Sequence, residues 1–450
     1  LAESGEFVRR EQNWGGVPFD FVTSTDNAER ERELADVYTD FLQQILRFSK
    51  KVSKVAKKME NAENQTRASE EKVSVSSTNF GSLLFQLSTQ YILSLKSQAI
   101  ADKAIETLKG NEKPFIAINN TLEGPIENLK KEGYDVSYKG LLLRQLDKLL
   151  EVTVRDKAAD TKTTVKITPD ELPDDAREQY EDIRNEIEGV DFGDMPISPI
   201  DFIKNRIQQA GYSIDEITGR NTEVVTTPDG MATPTSRKKR DRRVVLDDFN
   251  NGRLDAILVN KSGSTGTSAH TDPKFKDQRR RVMVVGQAAP DINDFMQMLG
   301  RIMRFGQTSL PRYVVLSSSL AAENRFMVLL RRKMASLNAN TSADTESDLT
   351  ANEGLVADIF NSIGDDVVYN VLKSNPEIVD QMDFSLPALD EGIDEGGDFA
   401  RSATGYFVIL PDDYAAKLWR DISELYTDRI RALDEVGENP LKANVDDLRA

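Results

Sequence analysis

Three short runs limit what this chain can fold into. Ala256-Ile257-Leu258-Val259-Asn260, Arg281-Val282-Met283-Val284-Val285-Gly286 and Tyr313-Val314-Val315-Leu316-Ser317 are nearly unbroken apolar stretches bounded by polar or turn residues. A strand with one wet face alternates apolar and polar side chains, whereas a strand covered on both faces does not. The runs therefore predict an α/β fold, a parallel sheet flanked by helices. Lys113-Pro114-Phe115-Ile116-Ala117-Ile118-Asn119 adds an earlier strand of the same kind.

Between the second and third runs lies Gln297-Met298-Leu299-Gly300-Arg301-Ile302-Met303-Arg304-Phe305-Gly306-Gln307. A short helix here would carry Arg301 and Arg304 at i and i+3 on one side, with Gln297 and Gly300 set before them. Two guanidinium groups so placed can converge on one anion, and their planar charged forks suit a nucleotide γ-phosphate. Taken alone, an R-x-x-R run would favour a solvated basic helix. After the first run comes Lys261-Ser262-Gly263-Ser264-Thr265-Gly266-Thr267-Ser268-Ala269-His270. Gly266 permits close backbone approach, and the hydroxyls with main-chain N–H groups can hold a phosphate. Taken alone, this too is only a loop.

In this order the pieces resemble known motifs. The Q-x-x-G-R-x-x-R pattern resembles motif VI of superfamily 2 helicases and translocases, and the first strand with its hydroxyl-rich loop resembles motif V. With Ile217-Thr218-Gly219-Arg220, Phe249 and Asp277-Gln278-Arg279-Arg280-Arg281, the set is similar to the Strawberry notch-type helicases, a Swi/Snf-related branch. Thr78-Asn79-Phe80, the Lys113–Thr121 strand ending at motif IV, and Ala322-Glu323-Asn324-Arg325-Phe326 extend the resemblance over roughly 78–340. His270 departs from the commoner glutamine, and Asn293 from an expected Asp.

The resemblance implies the second RecA-like lobe of an ATP-dependent DNA helicase or translocase, from a large phage or bacterial protein. Arg301 and Arg304 would contact nucleotide, with Gln297 and Gly300 shaping their helix. Gly266 and Thr267 would couple that site to DNA, with Ser264, Thr265 and Ser268 as further contacts. ATP and Mg²⁺ would be held mainly by an N-terminal RecA-like lobe of the same polypeptide. The competing reading is a non-catalytic DNA-binding or structural component, such as a packaged phage protein or an anti-restriction factor.

No G-x-x-x-x-G-K-[ST] occurs, so no loop here can cradle the β- and γ-phosphates. Leu389-Asp390-Glu391-Gly392 is superficially like an acidic Walker B box, but Pro387 interrupts the apolar run before it. Phe7-Val8-Arg9-Arg10-Glu11-Gln12 resembles the segment that closes the family's first lobe. The expectation is a C-terminal piece of a larger polypeptide that does not hydrolyse ATP by itself.

With no cysteine and one histidine, the chain has no disulfide framework, thiolate zinc site or His-cluster metal site. No run of 18 apolar residues appears, and the expected setting is bacterial host cytoplasm or a phage particle. The net charge of −17 argues against DNA only if charge is spread evenly. It is not. Arg237-Lys238-Lys239-Arg240 with Arg242 and Arg243, then Arg279-Arg280-Arg281, Arg331-Arg332-Lys333 and the lysines at 50, 51, 54, 57 and 58 form basic clusters. Acid collects at 169–194 and 383–398. Arg237, Lys238, Lys239, Arg240, Arg279 and Arg280 are the candidate phosphate contacts, although any one cluster could be a solvated face.

Three regions are expected. Residues 1–77 would comprise an extended tail to 26, a helix from 27 to 63 and a polar connector. Residues 78–340 would form the second lobe, with an acidic insertion around 150–200 that includes a hairpin at 151–167. A Ser/Thr/Asn/Asp-rich linker at 338–350 would lead into a mostly helical extension at 351–450. Within that extension, two short helices span 355–371, Gly405–Leu410 reads as a strand, and Asp412–Leu433 reads as an amphipathic helix.

Overall fold

The apolar runs pair as their patterning requires. The computed structural model describes residues 17–25, 28–65, 72–77, 80–156, 159–192, 195–226, 232–260, 268–288, 291–330, 332, 357–386 and 398–440. Its strands are β1 (Phe19–Thr23), β2 (Val73–Ser77), β3 (Lys113–Ala117), β4 (Glu151–Asp156), β5 (Thr161–Lys166), β6 (Ile214–Ile217), β7 (Thr222–Thr226), β8 (Ala232–Ser236), β9 (Ala256–Val259), β10 (Arg281–Val285) and β11 (Arg312–Ser317). Its first helices are α1 (Ala28–Asn64), α2 (Phe80–Lys109), α3 (Glu123–Glu132), α4 (Tyr138–Leu149), α5 (Asp174–Gly189), α6 (Pro199–Gln209), α7 (Arg242–Asn250) and α8 (Ile292–Leu299).

Six strands form one sheet in the order β1-β11-β10-β3-β9-β6, every neighbouring pair parallel. All residues of β3, β9 and β10 are buried, as strands covered on both faces must be. This is a mixed α/β fold with RecA-like architecture. The helix α2 is apolar around most of its circumference. Its Leu93, Ile100 and Ala104 pack with Ile203 and Ile207 of α6 against Ile116, Leu258, Val284 and Val314 of the sheet. Gly286 marks the closest approach, because a Cβ there would lie 2.4 Å from the Ile100 side chain.

Beside the main sheet, β2, β4 and β5 form an antiparallel sheet, and β7 pairs with β8. The expected hairpin at 151–167 is β4–β5. The expected extended tail contains β1, an edge strand of the main sheet, and the polar connector contains β2. Neither run is long or apolar, so pairing rather than periodicity makes them strands. The acidic 169–194 segment holds α5, whose Ala176, Tyr180, Ile183 and Ile187 form a buried stripe beneath its charged face.

The chain divides into two compact units, with the break after Ser319. The second unit begins with a 3₁₀ turn at Ala321–Glu323 and a helix over 324–330. It continues with α9 (Ser362–Lys373), α10 (Pro376–Gln381), α11 (Asp398–Ala403) and α12 (Asp412–Glu435). One helix, α9, stands where two short ones were expected. Gly405–Leu410 is not a strand, because a 3₁₀ helix spans Thr404–Ile409 and buries Phe407 edge-on to Trp419, 5.5 Å between centroids. A short apolar run fixes burial but not conformation. The 338–350 linker and the Leu389–Gly392 acidic run lie outside the described residues.

Candidate functional site

Asp291 opens α8 by accepting hydrogen bonds from the backbone N–H groups of Asn293 and Asp294, which would otherwise lack acceptors. Phe295, Met298 and Leu299 form its buried face, while Asn293 and Gln297 face outward. The helix stops at Leu299, so Arg301 and Arg304 do not sit on it as the spacing had suggested. Gly300 caps it, and the Tyr313 hydroxyl donates to the Leu299 carbonyl at 2.7 Å, satisfying an acceptor freed by termination. Arg301 follows in a turn, its N–H on the Met298 carbonyl and its own carbonyl accepting from Ala269 N at 2.9 Å. Arg304 follows in a second turn, where the Gln307 side chain accepts from Arg304 N at 3.0 Å and Gly306 adopts a φ of 82°.

The two turns keep both arginines on one pocket of about 390 Å³, lined by Asn293, Met296, Gln297, Gly300, Arg301 and Arg304. No carboxylate stands among these lining residues. The Arg301 side chain is largely buried, and Arg304 is exposed. Burial, reinforced by the neighbouring Arg304 charge, pushes the Arg301 guanidinium below its ordinary value. The chemistry available is neutralisation of a multiply charged oxyanion by one buried and one exposed guanidinium. Among the described residues, no group of three or more His, Cys, Asp or Glu could hold a metal ion.

Of the hydroxyl-rich loop after β9, which was expected to act as motif V, Ser264, Thr265, Gly266 and Thr267 lie outside the described residues. Ser268 is described, its hydroxyl 2.9 Å from His270 Nδ1. The next residue, Ala269, is the one bonded to Arg301, so the end of this loop abuts the arginine pocket. His270 is buried, which pushes its pKa down against the pull of Asp272, and the Arg304 charge adds to the depression.

The clusters at 237–240 and 279–281 are largely committed to protein partners. The Arg237 side chain is 6% exposed and lies 3.4 Å from Glu216. Arg240 pairs with Asp215 at 3.0 Å and with Asp248, and Lys239 Nζ donates to the Gly219 carbonyl at 2.7 Å. Lys238 is exposed. Arg279 pairs with Asp277 at 2.8 Å, and Arg280 donates to the Leu310 carbonyl at 3.0 Å. The Thr-Gly-Arg motif is also structural in position. Arg220, 1% exposed, donates to Glu216 and to both oxygens of Asp201, tying β6 to α6. Burial alone would raise the Glu216 carboxyl, but Arg220 and Lys204 hold it down to about 2.

Sequence reasoning missed Asn293 and Met296 as pocket residues. Their spacing with Gln297 and Gly300 places all four on one helical face, and that signal was available.

Residues 201–397 match the family described as the C-terminal domain on Strawberry notch homologue. The chain is 28% identical over 204 residues to Protein strawberry notch of Drosophila melanogaster, covering 44% of this chain and 12% of that protein. It is 29% identical over 186 residues to Protein strawberry notch homolog 1 of Rattus norvegicus, covering 40% of this chain and 14% of the relative. Against Protein strawberry notch homolog 2 of Homo sapiens it is 30% identical over 154 residues, covering 32% and 11%. This part of the chain is thus homologous to the Strawberry notch proteins, and it spans only a small fraction of their length.

Proposed function

From the homology of residues 201–397 to the Strawberry notch C-terminal domain, and with it to the helicase superfamily, we propose the following role. The chain is the second motor lobe of an ATP-dependent DNA helicase or translocase and supplies half of its nucleotide site. The observation that carries this reading is the convergence of Arg301 and Arg304 on a pocket lined by no carboxylate. A site built to repel cations and accept a polyanion has that electrostatic character. The donor set fits the γ-phosphate of ATP. ATP supplies the phosphoryl group and Mg²⁺ the countercharge, both held mainly by an N-terminal RecA-like lobe.

Arg304, exposed at the pocket, meets the charge that spreads over the transferring phosphoryl oxygens. Arg301, clamped by the Ala269 N–H on its carbonyl, orients that group from a fixed base. Gln297 and Gly300 shape the wall. The bond between Ala269 and Arg301 also gives the motif V loop a direct mechanical link to the arginines. Through it Gly266 and Thr267 couple the site to DNA, and Ser264, Thr265 and Ser268 contact the strand.

The test is DNA-stimulated ATP hydrolysis by a polypeptide that also carries the N-terminal lobe. Arg304→Ala should lower turnover by ~10³–10⁵, by analogy with the loss of an arginine finger. Because the Arg304 side chain is exposed, the variant should melt at the parent's temperature. Full turnover in that variant would sink the assignment.

A further inference from the structure

The helix α1 carries a basic stripe that the arginine pocket does not use, and it lies outside the residues that match the family. Between Phe41 and Met59 it holds six cations and no acidic residue, in a chain where Asp and Glu outnumber Lys and Arg by 75 to 58. At 3.6 residues per turn, Arg47, Lys50, Lys54, Lys57 and Lys58 fall within roughly a third of the helix circumference. Phe48, Val52 and Ala56 are buried on the opposite side, and all five cations are exposed. Among the described residues, the side chains of Arg47, Lys54, Lys57 and Lys58 make no ion pair or hydrogen bond. Lys51, at the edge of the stripe, is engaged by Asp175 of α5 at 2.9 Å.

That arrangement works against the helix that bears it. Like charges at i and i+4, as at Lys50 and Lys54 or Lys54 and Lys58, destabilise a helix, whereas opposite charges at that spacing support it. Exposed cations elsewhere are paired: Arg30 with Glu33 at 3.1 Å, Arg253 with Asp247 and Asp248, and Arg431 with Asp428 at 3.2 Å. A row of unpaired like charges suits an external polyanion, and its chemistry says which. Protein interfaces are depleted of lysine and enriched in aromatics, Met and Arg, yet four of these five cations are lysines and no aromatic stands among them. A lipid surface takes up the apolar face of a basic helix, and here that face is buried in the core. Single strands stack on aromatic side chains beside a basic groove, which the stripe lacks. We propose that the α1 stripe is a docking surface for the phosphate backbone of duplex DNA, separate from the Arg301–Arg304 pocket. From Arg47 to Lys58 it runs about 17 Å, enough to meet several phosphates, since a duplex carries one charge per ~1.7 Å of its axis.

The experiment uses the full chain and a fluorescent duplex of mixed sequence, read by anisotropy across a salt series. Lys54→Gln with Lys58→Gln should flatten the slope of log K against log[salt] by about 2 and weaken binding tenfold or more at about 50 mM salt. Lys417→Gln with Arg429→Gln changes the net charge equally on α12, where acids alternate with cations, and should keep the parent's slope. The lysine variant should melt no lower than the parent, because it removes a like-charge pair, so lost binding would not be lost folding. Two double variants alike in slope and affinity would overturn the proposal. So would polyglutamate binding the parent more tightly than the duplex through Lys54 and Lys58, which would assign the stripe to an acidic protein. Neither outcome depends on ATP turnover, so the motor assignment stands or falls separately.

Discussion

Asp277 carries the countercharge for three cations. Its carboxylate bonds Lys113 Nζ, accepts from Arg279 at 2.8 Å and lies 3.7 Å from Arg281. Lys113 is fully buried and sits 4.5 Å above the Phe249 ring, with the Phe249 carbonyl as a second acceptor. Burial works to raise the Asp277 carboxyl, but hydrogen bonds from Arg279 and Lys113 hold it well below its usual range. Burial pushes Lys113 down to about 8 against the pull of Asp277. The two partners are therefore not equivalent. Asp277→Asn removes the countercharge that Lys113, Arg279 and Arg281 share and should cost ~3–5 kcal/mol in urea denaturation. Lys113→Met should cost clearly less, because Asp277 keeps Arg279. The pH dependence follows from the lowered lysine value. Below about 8 the burial penalty on charged Lys113 is constant. Above it the folded state releases the proton first, while the unfolded lysine holds it to ~10.4, so stability rises with pH. Between pH 8 and about 9.5 the parent should gain on Lys113→Met, and a flat difference would contradict the assignment. None of this was legible beforehand. Arg279-Arg280-Arg281 reads as one basic patch, yet Arg279 and Arg281 share Asp277 while Arg280 turns to the Leu310 carbonyl, and only the register of β10 turns Arg281 inward.

At the level of elements, what the sequence announced depended on who supplies the stabilisation. Buried strands such as β9 and β10 carry their own signal, an unbroken apolar run, and both were legible to within a residue. The long amphipathic helices α1 and α12, whose stripes repeat over several turns, were legible to within two residues. The errors fall where a neighbour decides. The helix α8 was expected to run through Arg304, but the Tyr313 hydroxyl and the Ala269 N–H capture the chain just past Leu299. Both arginines line one pocket, but from turns after the helix and not from the helix itself. The start of α8 is more local, since Asp291 caps it through side-chain oxygen alone. Asp291→Ala should therefore cost about 1 kcal/mol, and Asp291→Ser should be nearly neutral, because serine caps as well. Chemical denaturation of the two variants decides it. Equal losses would mean that the carboxylate acts through its charge or a contact other than the cap.

For the whole molecule, the question is how a body of net charge −17 could follow a polyanion. Long-range repulsion slows encounter, so binding must come from local clusters whose cations are not already paired. By that criterion the cluster at 237–240 shrinks. Arg237 and Arg240 are engaged by Glu216, Asp215 and Asp248, and withdrawing them would unsettle the end of β6 instead of a DNA contact. Lys238 and Lys239 remain exposed and can turn toward a phosphate, Lys239 by giving up its bond to the Gly219 carbonyl. If about 3–5 phosphates are neutralised in all, log K for duplex DNA should fall with log[salt] at a slope of roughly −3 to −4.5. Replacing both lysines by alanine should then flatten the slope by about 1–2 with no change in base preference, because phosphate contacts carry no sequence information. Arg237→Gln, by contrast, should lower the melting temperature and leave the slope of the folded protein nearly unchanged. Fluorescence anisotropy across a salt series separates the two. An unchanged slope in the double-lysine variant would remove this cluster from the proposed DNA path and leave the hydroxyl-rich loop after β9 and Arg280 as the candidates.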